Sequence, residues 1–254
     1  MNHAKWIAHF HRNREQRPEP DWAALFALPE SVLKPLRPSL AEYQLGDGGG
    51  PACLIAGDAE QFRGSSDAMR QIVDLWFAEE REHSRLLGRA VDRIGARCVH
   101  EHWSFSAFLT CRRAMGVRAE LQVLLLVEIV STVYYRLIRR HCTDQPLRDM
   151  CSLILRDEAG HVAFHRDRLA SAGVSNWGLG GTLWELQFRL FGLAAAAMLW
   201  LTHGRCLRAL GARPMEFCRE IHRELSRFTW RLGRTAQVRA HQPVRPPELV
   251  GQAA

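Results

Sequence analysis

Residues 66–94 read SDAMRQIVDLWFAEEREHSRLLGRAVDRI. Apolar side chains recur at Met69, Ile72, Val73, Trp76, Leu87, Val91 and Ile94, steps that place them along one face of an α-helix. Glu80 and His83 fall inside that stripe. A buried carboxylate without a partner is strongly destabilising, so polar groups at this depth need a cation or a donor. The stretch therefore predicts a long core helix, stopped by Gly95, whose buried face carries chemistry.

The same spacing recurs once more in the chain, in Asp157-Glu158-Ala159-Gly160-His161. There the apolar stripe is Leu147, Met150, Ile154 and Leu169, with Glu158, His161 and His165 at its centre. A third segment embeds Glu128 among Leu124, Leu125, Leu126, Val127, Ile129 and Val130. Helices are expected over about 118–140, over 144–170 behind Asp144 and Pro146, and over 182–210 and 214–232, with a short one at 105–115. Ser39-Leu-Ala-Glu42 has capping-box spacing directly after Pro38 and marks a further helix start. No run of alternating β-branched residues is long enough for a sheet. The expected fold is all-α, an antiparallel bundle of long helices with short connections.

Residues 1–38 contain five prolines and read as an extension of short helical pieces, one at 22–28 capped by Asp21, whose aromatic residues pack on the body. The helical domain is expected at 39–232. Residues 233–254, rich in Arg, Gln and Pro, read as a mobile tail. The seven cysteines form no CxxC pair and several sit in apolar helical patterns, which points to a reducing, cytoplasmic compartment. There is no long apolar segment of secretory type after the first charges. The longest apolar run, 191–201, is too short to span a bilayer and reads as a buried helix, so no membrane span is expected.

Three carboxylates and two imidazoles at mid-helix depth are best neutralised together by metal, and oxygen plus imidazole donors without thiolate suit iron or manganese. These residues resemble the ferritin-like di-iron carboxylate proteins, whose bundle carries Glu-x-x-His on two helices and a single carboxylate on each of the other two. Glu79-Glu80-x-x-His83 and Asp157-Glu158-x-x-His161 look like the paired motifs of acyl-carrier-protein desaturases, rubrerythrins and the small subunit of class I ribonucleotide reductase. The order Glu-x-x-His, lone Glu, Glu-x-x-His is similar too, and the likeness covers roughly residues 39–170. It implies a ferritin-like four-helix bundle with additional C-terminal helices.

By that resemblance Glu80, His83, Glu158 and His161 are ligands and Glu128 is the third helix's carboxylate, around two Fe ions, with Mn or a mixed Fe/Mn pair as alternatives. Asp157 and Glu79 resemble acids that orient the ligand histidines through their other ring nitrogens. For the first helix, Glu42 is explained as a capping partner of Ser39, whereas Asp47 continues the stripe Leu36, Leu40, Tyr43 and is favoured. Asp47 is a methylene shorter than the family's glutamate, and Gly48-Gly49-Gly50-Pro51 interrupts the helix beside it. His165 and Tyr135 are read as neighbours of the site, with core packing as the competing role. His100-Glu101-His102 lacks a companion motif for zinc.

The net charge of +7 is nearly all arginine, dispersed over helix surfaces without interleaved aromatics, so nucleic acid is not an expected partner. The resemblance implies an oxidoreductase or oxygenase acting with O2 on a small organic substrate, compatible with an electron donor and with a homodimer. A non-enzymatic bundle with a single-metal or degraded site, serving binding or scaffolding, is the alternative, as is iron or peroxide handling.

Overall fold

The computed structural model describes residues 1–47, 53–63 and 66–241, which are mostly helical with no β-strand among them. In chain order the helices are α1 His3–Glu15, α2 Glu30–Gly46, α3 Ala59–Arg63, α4 Asp67–Arg93, α5 Trp103–Ala114, α6 Val117–His141, α7 Gln145–Ser171, α8 Gly178–Leu210 and α9 Pro214–Ala240. The two long motif-bearing helices begin where their caps require. Ser66 accepts a hydrogen bond from the backbone N–H of Met69, and Asp144 accepts one from that of Leu147, each relieving a donor that the first turn leaves unpaired.

Four helices surround the centre of the molecule: α2 packs on α4, α4 on α7, and α7 on α6, while α8 fills the side between α2 and α6. Helix α9 lies over α6 and α7, and α1 over α4 and α7. The larger apolar core, with Leu40, Leu87, Val133, Ile138, Ile154 and Phe188 fully buried, is joined by a smaller one in which Trp6 and Phe10 of α1 meet Trp76 and Phe164.

Several boundaries differ from the sequence expectation for physical reasons. Helix α2 starts nine residues before Ser39, after Pro29, and carries Pro35 and Pro38 in its interior. Each proline removes a helical donor, a penalty of about 3 kcal/mol, which the burial of Leu33, Leu36 and Leu40 offsets. Ser39 is no cap. It is buried, and its hydroxyl hydrogen-bonds with the Tyr134 hydroxyl and His203 Nδ1. The boundary at residue 38 thus falls inside a helix, and α1 belongs to the packed body.

The expected piece at 22–28 is a turn, closed by Asp21 accepting from the Ala23 N–H, although Trp22, Phe26 and Leu28 do pack on the core. Helix α9 continues past Leu232 to Ala240. Residues 242–254 of the expected tail, and Gly48-Gly49-Gly50-Pro51, lie outside the described residues. The apolar run 191–201 is not a buried helix: Phe191, Leu193, Met198 and Leu201 are exposed on α8. The cysteines are free thiols, with Cys142, Cys151 and Cys206 packed as apolar residues.

Candidate metal centre

A step of three residues keeps Glu80 and His83 on one face of α4, and Glu158 and His161 on one face of α7. Helix α6 supplies Glu128 from its middle, and Asp47 caps the C-terminus of α2, its backbone N–H bonded to the Tyr43 carbonyl. The fold brings these six side chains together. Asp47, Glu80, His83 and Glu158 each offer a donor atom within 4.8 Å of the others, and so do Glu80, Glu128 and His161. The cluster could therefore hold metal.

The two histidines are arranged alike. Nδ1 of His83 lies 3.6 Å from Glu80, 3.8 Å from Glu158 and 3.9 Å from Asp47. Nδ1 of His161 lies 3.0 Å from Glu80, 3.8 Å from Glu128 and 3.9 Å from Glu158. Glu80 and Glu158 thus face both rings, whereas Asp47 faces one and Glu128 the other. Each remaining ring nitrogen meets an acid from the opposite helix: His83 Nε2 is 3.1 Å from Asp157, and His161 Nε2 is 2.9 Å from Glu79. An Nε2–H donated to a carboxylate leaves the Nδ1 lone pair free to face the centre.

The two orienting acids are joined by Arg17, just past the end of α1. Its guanidinium hydrogen-bonds Asp157 and lies 3.7 Å from Glu79. Asn13 and Arg156 also donate to Asp157, each at 3.4 Å. No motif marks Arg17, but Trp6, Phe10, Asn13 and Arg17 follow a helical stripe, which is the available signal. Gly160, inside the second motif, leaves room for α1, since a Cβ there would collide with the His9 ring.

Tyr135 is fully buried and donates its hydroxyl to Asp47 at 2.5 Å. His165 Nε2 lies 3.6 Å from Glu128, and its Nδ1 is 3.4 Å from the Arg168 guanidinium. Glu42 does not join the cluster. It is 3.7 Å from His102, and His100 and Glu101 are exposed and outside both donor groups.

Burial without a cation forces protons onto the site. Burial, with Glu80 beside it, pushes Asp47 up to about 7. Burial, with Glu80 and Asp47 adding, pushes Glu128 up to about 8, and Glu158 also rises well above its ordinary range. Burial works against ionised Glu80 too, but His161 and His83 outweigh it and hold Glu80 low. Burial likewise opposes charge on the two rings, yet the surrounding carboxylates hold both pKa values high. Burial and the neighbouring Arg168 push His165 down, so it is neutral.

Chemical fit to metal rests on atoms that have no other partner. Glu80 Oε1, His83 Nδ1, Glu128 Oε2, Glu158 Oε2, His161 Nδ1 and His165 Nε2 are buried without a hydrogen bond. Buried polar atoms are normally paired, and here the unpaired ones on α4, α6 and α7 belong to the two donor groups, with His165 beside Glu128. Beside the cluster, a largely apolar cavity of about 220 Å³ lies between α2, α5, α6 and α8, reaching from Phe105 and Met198 to Asp47 and His203.

Comparison with protein-family models, with curated proteins and with solved structures finds no match for this chain.

Proposed function

We propose that this chain is a ferritin-like di-iron oxidoreductase that activates O2 on an apolar small organic substrate. The observation that carries the reading is the pairing of the donors: Glu80 and Glu158 each face both histidines, with Asp47 and Glu128 at opposite ends. Asp47, Glu80, His83, Glu128, Glu158 and His161 are the residues that would hold the two ions. Carboxylate and imidazole donors without thiolate favour iron, with manganese as the alternative. When bound, the ion pair supplies the redox electrons and the O2 affinity that the side chains lack.

The protein's own part follows from its contacts. Asp157 and Glu79 fix the histidine tautomers, and Arg17 sets one positive charge between these two acids. Tyr135 holds one Asp47 oxygen, which keeps the shortest of the acidic side chains in place and puts a hydroxyl proton at its carboxylate. The cavity has room for an apolar molecule beside Asp47. This cavity favours an organic substrate over simple iron or peroxide handling, which would need the same ligands and no such chamber.

Anaerobic titration with Fe(II) tests the reading. About two equivalents are expected to bind, with a transient visible absorption on adding O2, and Glu128→Ala should lose at least one equivalent. Binding of less than one equivalent, unchanged in Glu128→Ala, overturns it.

A further inference from the structure

Helix α8 has two unlike faces. Phe188, Gly192, Ala196, Leu199 and His203 are buried in the molecule. The opposite face carries Leu179, Leu183, Leu186, Leu190, Leu193 and Leu201, all exposed, from 54% at Leu193 to 80% at Leu179. Their steps of three, four and eight keep them in one line, roughly 33 Å long at 1.5 Å per residue. No charge interrupts that line: Glu185 and Arg189 pair with each other, and Arg189 turns to Ser226 and Thr229 of α9. A continuous apolar surface of this length is unusual on a free surface and marks an interaction site.

Charge selects what covers it. Between Glu185 and Glu216 there is no acidic residue, while Arg205, Arg208 and Arg213 follow the last exposed leucine. A second copy laid along this helix would bring arginines against an equally acid-free stretch. An anionic bilayer surface supplies both halves of the match, acyl chains for the leucines and headgroups for the arginines. Trp177, exposed at the start of the stripe, is suited to the interfacial layer. Helix α8 is long and apolar enough to cross a membrane, but crossing would strip its buried face from the core. The length of the helix fits lying on the surface.

We propose that the exposed face of α8 docks on an anionic membrane surface. Met198, 42% exposed, sits on the flank of this face and also lines the cavity that reaches Asp47. A second apolar cavity, lined by Phe191 and Ala195, opens along the same helix. Docking therefore holds both cavities on the flank of a membrane-bound helix, and the substrate class becomes a lipid-soluble molecule drawn from the bilayer. This last step rests on the metal-site reading, whereas docking itself does not.

The test is flotation of the full chain, metal-free, with vesicles of phosphatidylcholine alone and with phosphatidylglycerol added, beside the double variant Leu186→Glu/Leu190→Glu. Both substitutions sit on solvent-exposed positions, and circular dichroism checks that the fold is kept. The protein is expected to float with the anionic vesicles and much less with the neutral ones, with binding about tenfold weaker or worse in the variant. Wild-type protein that stays at the bottom with both vesicles overturns the proposal. So does flotation that the variant leaves undiminished. A dimer dissolved by the variant, with no flotation, assigns the face to a second copy and overturns it equally. Because iron is absent, failure here is separate from failure of the Fe(II) titration.

Discussion

Asp47 and Glu128 show what the site lacks without a cation. In the folded, metal-free protein they keep protons up to about 7 and about 8, whereas in an unfolded chain they would lose them near ordinary carboxylate values. Between those limits the folded state binds more protons than the unfolded state, so stability falls as pH rises. His83 and His161, held charged by their neighbours, act in the same direction. Each extra proton held contributes a slope of about 1.4 kcal/mol per pH unit. Metal-free protein is therefore expected to melt at a higher temperature at pH 5.5 than at pH 8, with bound Fe(II) or Mn(II) reversing the order. Thermal denaturation at the two pH values, with and without metal, checks this, and a metal-free Tm that climbs with pH would contradict it. The residues concerned are legible in the sequence because helical periodicity alone puts charge where burial forbids it. Arg17 is not legible in that way: it lies two residues past the end of α1, so only the stripe from Trp6 points to it.

At the scale of helices, the sequence is clear where periodicity and caps agree and silent where tertiary burial overrides them. Helices α4 and α7 stand within a residue or two of their expected limits because Ser66 and Asp144 cap them and a polar site interrupts otherwise regular stripes. Helix α2 departs because Ser39 and Glu42 have capping spacing yet are used for other contacts, Ser39 with Tyr134 and Glu42 near His102. Composition cannot say which face of α8 is covered, so its apolar run reads as core. Two glycines separate helix propensity from packing. At Gly88 in α4 a Cβ would meet nothing within 4 Å, so Gly88→Ala should stabilise by about 0.5–1 kcal/mol. At Gly192 in α8 a Cβ would come 2.6 Å from Leu225 of α9, which is buried and has little room to yield. Gly192→Ala should destabilise by about 1–3 kcal/mol through overpacking. Chemical denaturation of the two variants reads both, and equal shifts would show that α8 and α9 are not in close contact here.

For the molecule as a whole, the centre is an assembly of segments far apart in the chain, and α1 ties two of them together. Arg17 pairs with Asp157 from α7 and sits beside Glu79 from α4, while those acids in turn hold His83 and His161 of the reciprocal helices. The N-terminal segment thus completes a ring of charge around the candidate ligands instead of extending away from the body. Replacing Arg17 by Met keeps much of its apolar stem but leaves two buried acids with less positive charge between them. Removing one partner of a buried ion pair typically costs about 3–5 kcal/mol. Asn13 and Arg156 still donate to Asp157, which places the expected loss near the lower end, about 3 kcal/mol. The histidines would also lose a firm orientation, and loss of such an outer contact typically lowers metal affinity about 10–100-fold. Arg17→Met is thus expected to lower both the Tm and the Fe(II) affinity, whereas Arg17→Lys, which keeps the charge, should recover part of each. A competition titration with a metal chelator, run beside thermal melts of the two variants, measures both effects. Unchanged affinity in Arg17→Met with a lowered Tm would make Arg17 a purely structural clamp between α1, α4 and α7 and remove it from the metal centre.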